Sequence, residues 1–435
     1  MALLGSAMKE DFLYYLWENR LMVGDLQTAA GDPVDVVNPG YRNCNSGPDY
    51  LEAKIKIGGQ LWAGHVELHV RTSDWNRHGH QHDRAYSNVV LHVVYENDAK
   101  VNDIPVLAVK GHFDPLLYSR YEVILTSRNW IACERHINGI QPFTINAWLE
   151  RMAIERLQLK STAAERIVNA TRFDWEESLY RLLLRYFGMK VNSEAFESLA
   201  VILPFKTLMK HADQLPQLEA MLLGCAGFLE VESDEAYPQL LKREFNALRN
   251  KFNLICMPLE RWKFMRMRPV NFPTVRLAQL AQMIHQHGCL FSKIKEAENI
   301  NEVKALFDVC ASTYWDTHFR FNINPLAPRR EQNTSQPKHL GEGTADVLVI
   351  NAVVPLLFCY GKFHMDERHC SKAMHFLEGL AAEDNAITRH FADIGVKAHD
   401  AMQSQALLHL HSHYCKQKRC LECSIGNILL QSNKD

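Results

Sequence analysis

The chain has 435 residues, room for two or three domains at about 100–200 residues each, and its 47% apolar and 23% charged residues are the balance of an ordinary globular protein. Its 48 Lys and Arg against 50 Asp and Glu leave a net charge of −2, which excludes a surface coated in basic charge for sequence-blind nucleic-acid binding but allows a local basic groove. No apolar run reaches the roughly 18–20 residues of a membrane span, and the opening MALLGSAM lacks the basic stretch and cleavage site of a secretory leader, so no membrane association and a cytoplasmic location are expected.

Residues 9–22, KEDFLYYLWENRLM, place Phe12, Tyr15 and Leu16 at helical spacing, with Leu13, Trp17 and Leu21 widening the apolar face. Asp32-Pro33 breaks the chain, and Val34 to Val37 reads as a short strand closed by Asn38-Pro39-Gly40. A loop rich in turn formers, RNCNSGPD, follows. From Tyr50 the period becomes two. Leu51, Ala53, Ile55 and Ile57 share one face, Gly58-Gly59 makes a two-residue hairpin turn, and Trp62, Gly64, Val66, Leu68 and Val70 continue the apolar face on the return strand. That turn pairs Ile55 with Trp62 and Leu51 with Val66, and sends His65, Glu67 and His69 to the opposite face. Ser73-Asp74-Trp75 opens a short helix or irregular turn through HGHQHDRAY. Asn88 to Tyr95, apolar on both faces, reads as a buried strand, and Pro105 to Val109 as another. Beyond about Asn146 the pattern is helical, interrupted by a surface loop at 320–345. The expected class is α+β: an αβββαβ module over 9–145, containing the hairpin 50–70, then a large all-α region over 146–435 ending in a cysteine cluster.

The carboxylates of Asp49, after Gly47-Pro48, and of Glu67, on the paired strand, can together hold a hard divalent cation that polarises a phosphodiester and lowers the pKa of an attacking water. His69 can orient that water or offset transition-state charge. Strict alternation puts Asp49 on the face of Leu51 and away from Glu67, so the site needs a bulge or twist after Pro48. The arrangement resembles the PD-(D/E)xK nuclease superfamily, in which Pro-Asp precedes a hairpin whose second strand carries acid-x-Lys. The resemblance covers roughly Lys9 to Val109 and implies a restriction-endonuclease-like core of helix, three strands, helix and strand. It also implies Asp49 and Glu67 as ligands to Mg or Mn, the Leu68 carbonyl as a third ligand, Glu18 as an accessory acid, and nucleic acid as the partner. Position 69 is His where the superfamily usually has Lys.

Three other stretches carry chemistry-bearing residues. His78-Gly79-His80-Gln81-His82-Asp83 has metal-ligand spacing and can lend His80, His82 or Asp83 to the same site, form a zinc-dependent hydrolase site of its own, or be an exposed loop. Cys415, Cys420 and Cys423 lie beside Lys416, Lys418 and Arg419. Such thiols suit a structural zinc or iron–sulfur cluster, with His411, His413 or Cys370 as fourth ligand, or are three reduced cysteines in a turn. The stretch from Arg261 to Arg268, with Trp262 and Phe264, can stack bases and contact phosphates, or snorkel at a helix end. The remaining cysteines are scattered singly, as reduced thiols are; the total of 11 is odd.

The whole chain also resembles a bacterial family catalogued as a domain of unknown function, numbered 2851. The carrying segments are GPDYLEAKIKIGGQLWAGHVELHVRTSDW, DRAYSNVVLHVVYEND, RPVNFPTVRLAQLA and SQALLHLHSHYCKQKRCLECSIG. The expectation is a metal-dependent nuclease built on Asp49, Glu67 and His69. The alternatives are a zinc-dependent hydrolase and a non-catalytic nucleic-acid- or protein-binding module with a structural metal.

Overall fold

The computed structural model describes residues 8–100, 104–230, 232–321 and 335–432. The opening segment read for a leader therefore lies outside the described residues except for Met8, as does 322–334 of the expected surface loop. The first helix, α1 (Glu10–Glu18), has Glu10 and Asp11 in its first turn, where negative charge suits the helix dipole. It buries Phe12, Leu13, Tyr15, Leu16 and Trp17. Strands β1 (Val34–Asn38), β2 (Tyr41–Arg42), β3 (Tyr50–Ile57) and β4 (Gln60–Arg71) follow, then α2 (Asp74–His78), β5 (Val89–Glu96), β6 (Val106–Ala108) and α3 (Pro115–Thr126). The sheet runs β1-β3-β4-β5-β6, with β2 also on β3. β1, β3 and β4 are antiparallel neighbours, whereas β4, β5 and β6 run parallel. The crossover from β4 to β5 carries α2, as parallel neighbours require a connection longer than a hairpin.

Gly58 and Gly59 both have positive φ, 58° and 84°, as a two-residue turn that follows the strand twist requires. They set the Ile55–Trp62 pairing that the sequence predicts. One face of the sheet, through Ala53, Ile55, Val66, Leu68, Leu91, Val93 and Leu107, packs with α1 and with Phe113, Leu117 and Tyr121. Phe12 is stacked on Tyr121 at 5.4 Å and meets Phe113 edge-on at 5.7 Å. Full burial of each such side chain is worth about 1.5–3 kcal/mol.

The chain divides into two units, and the division differs from the expected one. The first contains Met1–Trp148 together with Leu410–Asp435; the second is Leu149–His409. The closing helix Ser424–Gln431 belongs with the sheet: Leu430 joins its core, Tyr15 Oη donates to Asn427 Oδ1 at 2.8 Å, and Arg120 donates to the Leu430 carbonyl at 3.0 Å.

The second unit is helical. Pro204 separates helices Met189–Ile202 and Phe205–Met209, and Pro355, which has no N–H to give, follows a π-helical turn at Val349–Val353. The continuous helical run Glu342–Phe363 is long and apolar enough to cross a membrane, but 67% of its most apolar window is buried inside the fold. Of the basic-aromatic stretch, Trp262 is buried and donates to the Ala226 carbonyl at 2.7 Å, and Phe264 packs on the helical core. The nearby Arg276 is buried too, held by Asn271, Gln279, Thr344 and the Leu340 carbonyl. These side chains pack the helices together.

Candidate metal centre

β4 is the strand on which the site is built. Val66 and Leu68 face the core, and alternation sends Glu67 and His69 to the other face. The parallel register sets His92 of β5 opposite Glu67. Asp49 joins them through a bulge in β3. Tyr50, not Leu51, pairs with Val66, and the register shifts before Ala53 meets Gly64. Glu52, at φ 57°, absorbs the additional residue. Burial then falls on Tyr50, Ala53, Ile55 and Ile57, with Leu51 only half-buried. Asp49 consequently meets the β4 residues of the site. Its N–H donates to Glu67 Oε2 at 3.0 Å, and the Leu68 N–H donates to Asp49 Oδ2 at 2.9 Å.

Other elements close the site. Tyr14 of α1 donates to Asp49 Oδ1 at 3.0 Å. Glu10, one turn earlier on the same helix face, is close enough for the Asp49 charge to act on it and for its own charge to act on Glu67. The segment after β4 supplies His78 and His80. His69 Nε2 lies 3.1 Å from His78 Nδ1 and 3.5 Å from Glu67 Oε1, and His80 Nε2 lies 3.3 Å from the same carboxylate oxygen. Among the described residues, one group of three or more His, Cys, Asp or Glu has all its ligand atoms within 4.8 Å of one another: His69, His78 and His80. His92 Nε2 holds His69 Nδ1 at 2.9 Å, an orienting contact of the kind that fixes a metal-ligating imidazole. Tyr86 stacks on His80 at 3.9 Å, and Trp75 meets His80, His92 and Tyr86 edge-on or tilted.

Burial, then the Asp49 charge, pushes the Glu67 carboxyl up to about 8. Burial and then Asp49 likewise raise Glu10 to about 7. Asp49 is raised by burial, against the Leu68 and Tyr14 hydrogen bonds that favour its charged form. Burial, then the neighbouring imidazoles of His92 and His78, pushes His69 down to about 3, and burial lowers His92 to about 4. The site therefore holds carboxylates that resist ionising and imidazoles that stay neutral. A bound cation would reverse the first effect and use the lone pairs preserved by the second.

Of the residues singled out in the sequence, Asp49, Glu67, His69 and His80 come together. Leu68 offers its N–H to Asp49. His82 is exposed and outside the trio, and exposed Asp83 accepts the Ala85 N–H at 2.9 Å, close enough for its charge to act on His80. Glu18 accepts a hydrogen bond from Tyr50 at 2.9 Å and pairs with Arg42 at 3.7 Å, so the α1 acid facing Asp49 is Glu10. The signals for the additional residues are modest: Glu10 and Tyr14 stand four apart on one helix face, and His92 interrupts an otherwise apolar strand.

A family model, described as protein of unknown function (DUF2851), matches residues 10–386. The chain belongs to this family. No curated protein and no solved structure matches it. The matched region contains every residue of the histidine-carboxylate site and stops short of Cys415, Cys420 and Cys423.

Proposed function

We propose that the first unit of this family member is a metal-dependent nuclease-like hydrolase of nucleic-acid phosphodiester bonds. The observation that carries the reading is the joining of Asp49 to Glu67 across the bulged β3–β4 pair, beside three imidazoles with ligand atoms within 4.8 Å. A nucleic-acid substrate is supported by the order of elements, a helix, an antiparallel hairpin and a parallel crossover strand, in which Pro48-Asp49 and Glu67-x-His69 stand where the PD-(D/E)xK pattern has its acids. Asp49 and Glu67 are the oxygen ligands, and His69, His78 and His80 add nitrogen donors that favour Mn or Zn over Mg. An ion held by these residues would supply polarisation of a phosphoryl oxygen and a lowered pKa for a water. His69, neutral by burial, does not supply the positive charge of a lysine, so it serves as a ligand held by His92. Glu10 is placed to take a proton from a nucleophile delivered beside Asp49.

Cleavage of labelled single- and double-stranded DNA and RNA, with Mg, Mn or Zn supplied, tests this directly. Wild-type protein should cut at least one substrate, and Asp49→Asn and Glu67→Gln should each lower the rate by about 100-fold or more with unchanged circular dichroism. Metal bound at the site with no cleavage of any substrate would leave a binding module in place of an enzyme. The imidazole trio favours a second reading, a zinc hydrolase built on His69, His78 and His80 acting on another ester. Tight zinc that survives dialysis, with turnover of a simple phosphodiester but of no nucleic acid, would select it.

A further inference from the structure

We infer that Cys133 completes a four-cysteine metal centre with Cys415, Cys420 and Cys423, at a site separate from the histidine-carboxylate cluster, and that its occupant is an iron–sulfur cluster. Three of these cysteines are neighbours in sequence; Cys133 is nearly three hundred residues away and is brought in by the fold. All four belong to the first unit, whereas Cys370 belongs to the second. Each sulfur lies within electrostatic reach of the other three: Cys415 of Cys133, Cys420 and Cys423, Cys133 of Cys420 and Cys423, and Cys420 of Cys423. The four sulfurs are therefore mutual neighbours in the fold. None of the four forms a disulfide.

The surrounding contacts hold this arrangement. Trp130 stacks on His411 at 4.6 Å, and the Lys418 ammonium donates to the Leu125 carbonyl and, at 3.0 Å, to that of Ser127. These tie the segment after α3, which carries Cys133, to the segment carrying the other three. Cys420 opens a short 3-10 turn and Cys423 is the N-cap of the closing helix, so these two cysteines stand at either end of one tight corner. The corner needs Gly426, because a Cβ there would stand 2.2 Å from the Cys420 carbonyl oxygen. The backbone N–H groups of Ile425 and Gly426 and the Trp148 indole lie beside the Cys423 sulfur and offset part of the burial that raises its thiol. Burial raises all four thiols, and a thiophilic cation bound among them would offset that burial and hold them as thiolates, the ligand form of cysteine.

Spacing distinguishes the occupant. A single zinc with 2.3 Å bonds draws its four sulfurs to about 3.8 Å from one another. No three of these sulfurs all lie within 4.8 Å of one another. A spacing wider than a single zinc sets points instead to a cluster of iron and inorganic sulfide, which cysteine thiolates bind four at a time.

The test is anaerobic purification of the full chain followed by metal and sulfide analysis and visible absorption. About four irons and four sulfides per chain are expected, with a visible band that dithionite bleaches. Cys133→Ser should lose at least half of that iron, as should Cys420→Ser, whereas Cys370→Ser and Cys44→Ser should retain it. Circular dichroism and Mn binding at the histidine site report whether the serine variants remain folded. If either variant unfolds, the wild-type stoichiometry and the protection of Cys133 from alkylation until a chelator is added decide the matter. One zinc per chain in place of iron would overturn the cluster, as would Cys133 alkylated as fast as Cys44 in protein as purified. Iron unaffected by Cys133→Ser would overturn the assignment of that ligand. None of these outcomes depends on whether the chain cuts nucleic acid.

Discussion

At the scale of single residues, the site is defined by groups held away from their ordinary ionisation. Glu67 is raised from 4.5 to about 8 and Glu10 from 4.5 to about 7, so their contribution to stability is complete below 4.5 and is lost as pH rises through 7 to 8. His69 runs oppositely. Lowered from 6.5 to about 3, it contributes stability above 6.5 that is lost as pH falls towards 3. The carboxylates are therefore read between pH 6.5 and 8, against Lys160 of the second unit, which burial lowers from 10.5 to about 7 and which adds stability as pH rises above 7; the slope that belongs to the site is the part that Glu67→Gln removes. In that window the site should make the metal-free protein less stable by on the order of 1 kcal/mol per pH unit, and Glu67→Gln should flatten that part of the slope. Denaturant midpoints at pH 6.5, 7.25 and 8 check this. Manganese should restore stability most at pH 8, because binding requires the ionised carboxylate. A second comparison separates the two glutamates of α1. Glu10→Gln should weaken manganese binding or turnover by about tenfold, whereas Glu18→Gln, which loses the Tyr50 and Arg42 contacts, should leave both within about twofold. Equal losses in a calorimetric titration would show that neither residue acts through the site.

At the scale of elements, the decisive feature is the bulge at Glu52. Its φ of 57° is a left-handed conformation that costs a non-glycine residue roughly 1 kcal/mol. Glu52→Gly should therefore keep the site and stabilise the fold by up to about 1 kcal/mol. Deletion of Glu52 should instead restore plain alternation, turn Asp49 towards the core face, and abolish metal binding. Isothermal titration with manganese on the two variants distinguishes them. The same bulge explains what could be read from the sequence. Period two gave the hairpin, its Gly58-Gly59 turn and the Ile55–Trp62 pairing, since these follow from local pattern alone. Alternation also marked where it had to fail, because Asp49 could not reach Glu67 without a bulge. It could not locate the bulge, since Glu52 has no turn-forming signature. The helix α3 was legible and passed over. Asp114 caps it, accepting the Leu116 N–H at 2.9 Å, with Pro115 in its first turn, a start signal present in the sequence. The roles of His92 and Cys133 were not legible, because each depends on which distant segment lies beside it.

At the scale of the molecule, the first unit is assembled from two segments that flank the second unit in sequence. Leu430 is fully buried in a core otherwise made of residues 12–121. Leu430→Ala should destabilise that unit by about 2–4 kcal/mol. Hydrogen exchange should quicken across α1 and α3, which the closing helix touches through Tyr15 and Arg120, and be unchanged in helices such as Trp175–Phe187. Uniform exchange across both units would contradict the division at Leu149 and His409.

That assembly also sets an order of events during synthesis. The sheet emerges from the ribosome before the helical unit, and its closing helix at Ser424–Gln431 after it. At about 5–20 residues per second, the nascent sheet waits roughly a quarter of a minute to a minute for that helix. The helical unit is wholly synthesised in the interval. The sheet, made before the helical unit, is thus finished after it, and a chain that stopped short of Ser424 would carry a complete helical unit joined to an open sheet.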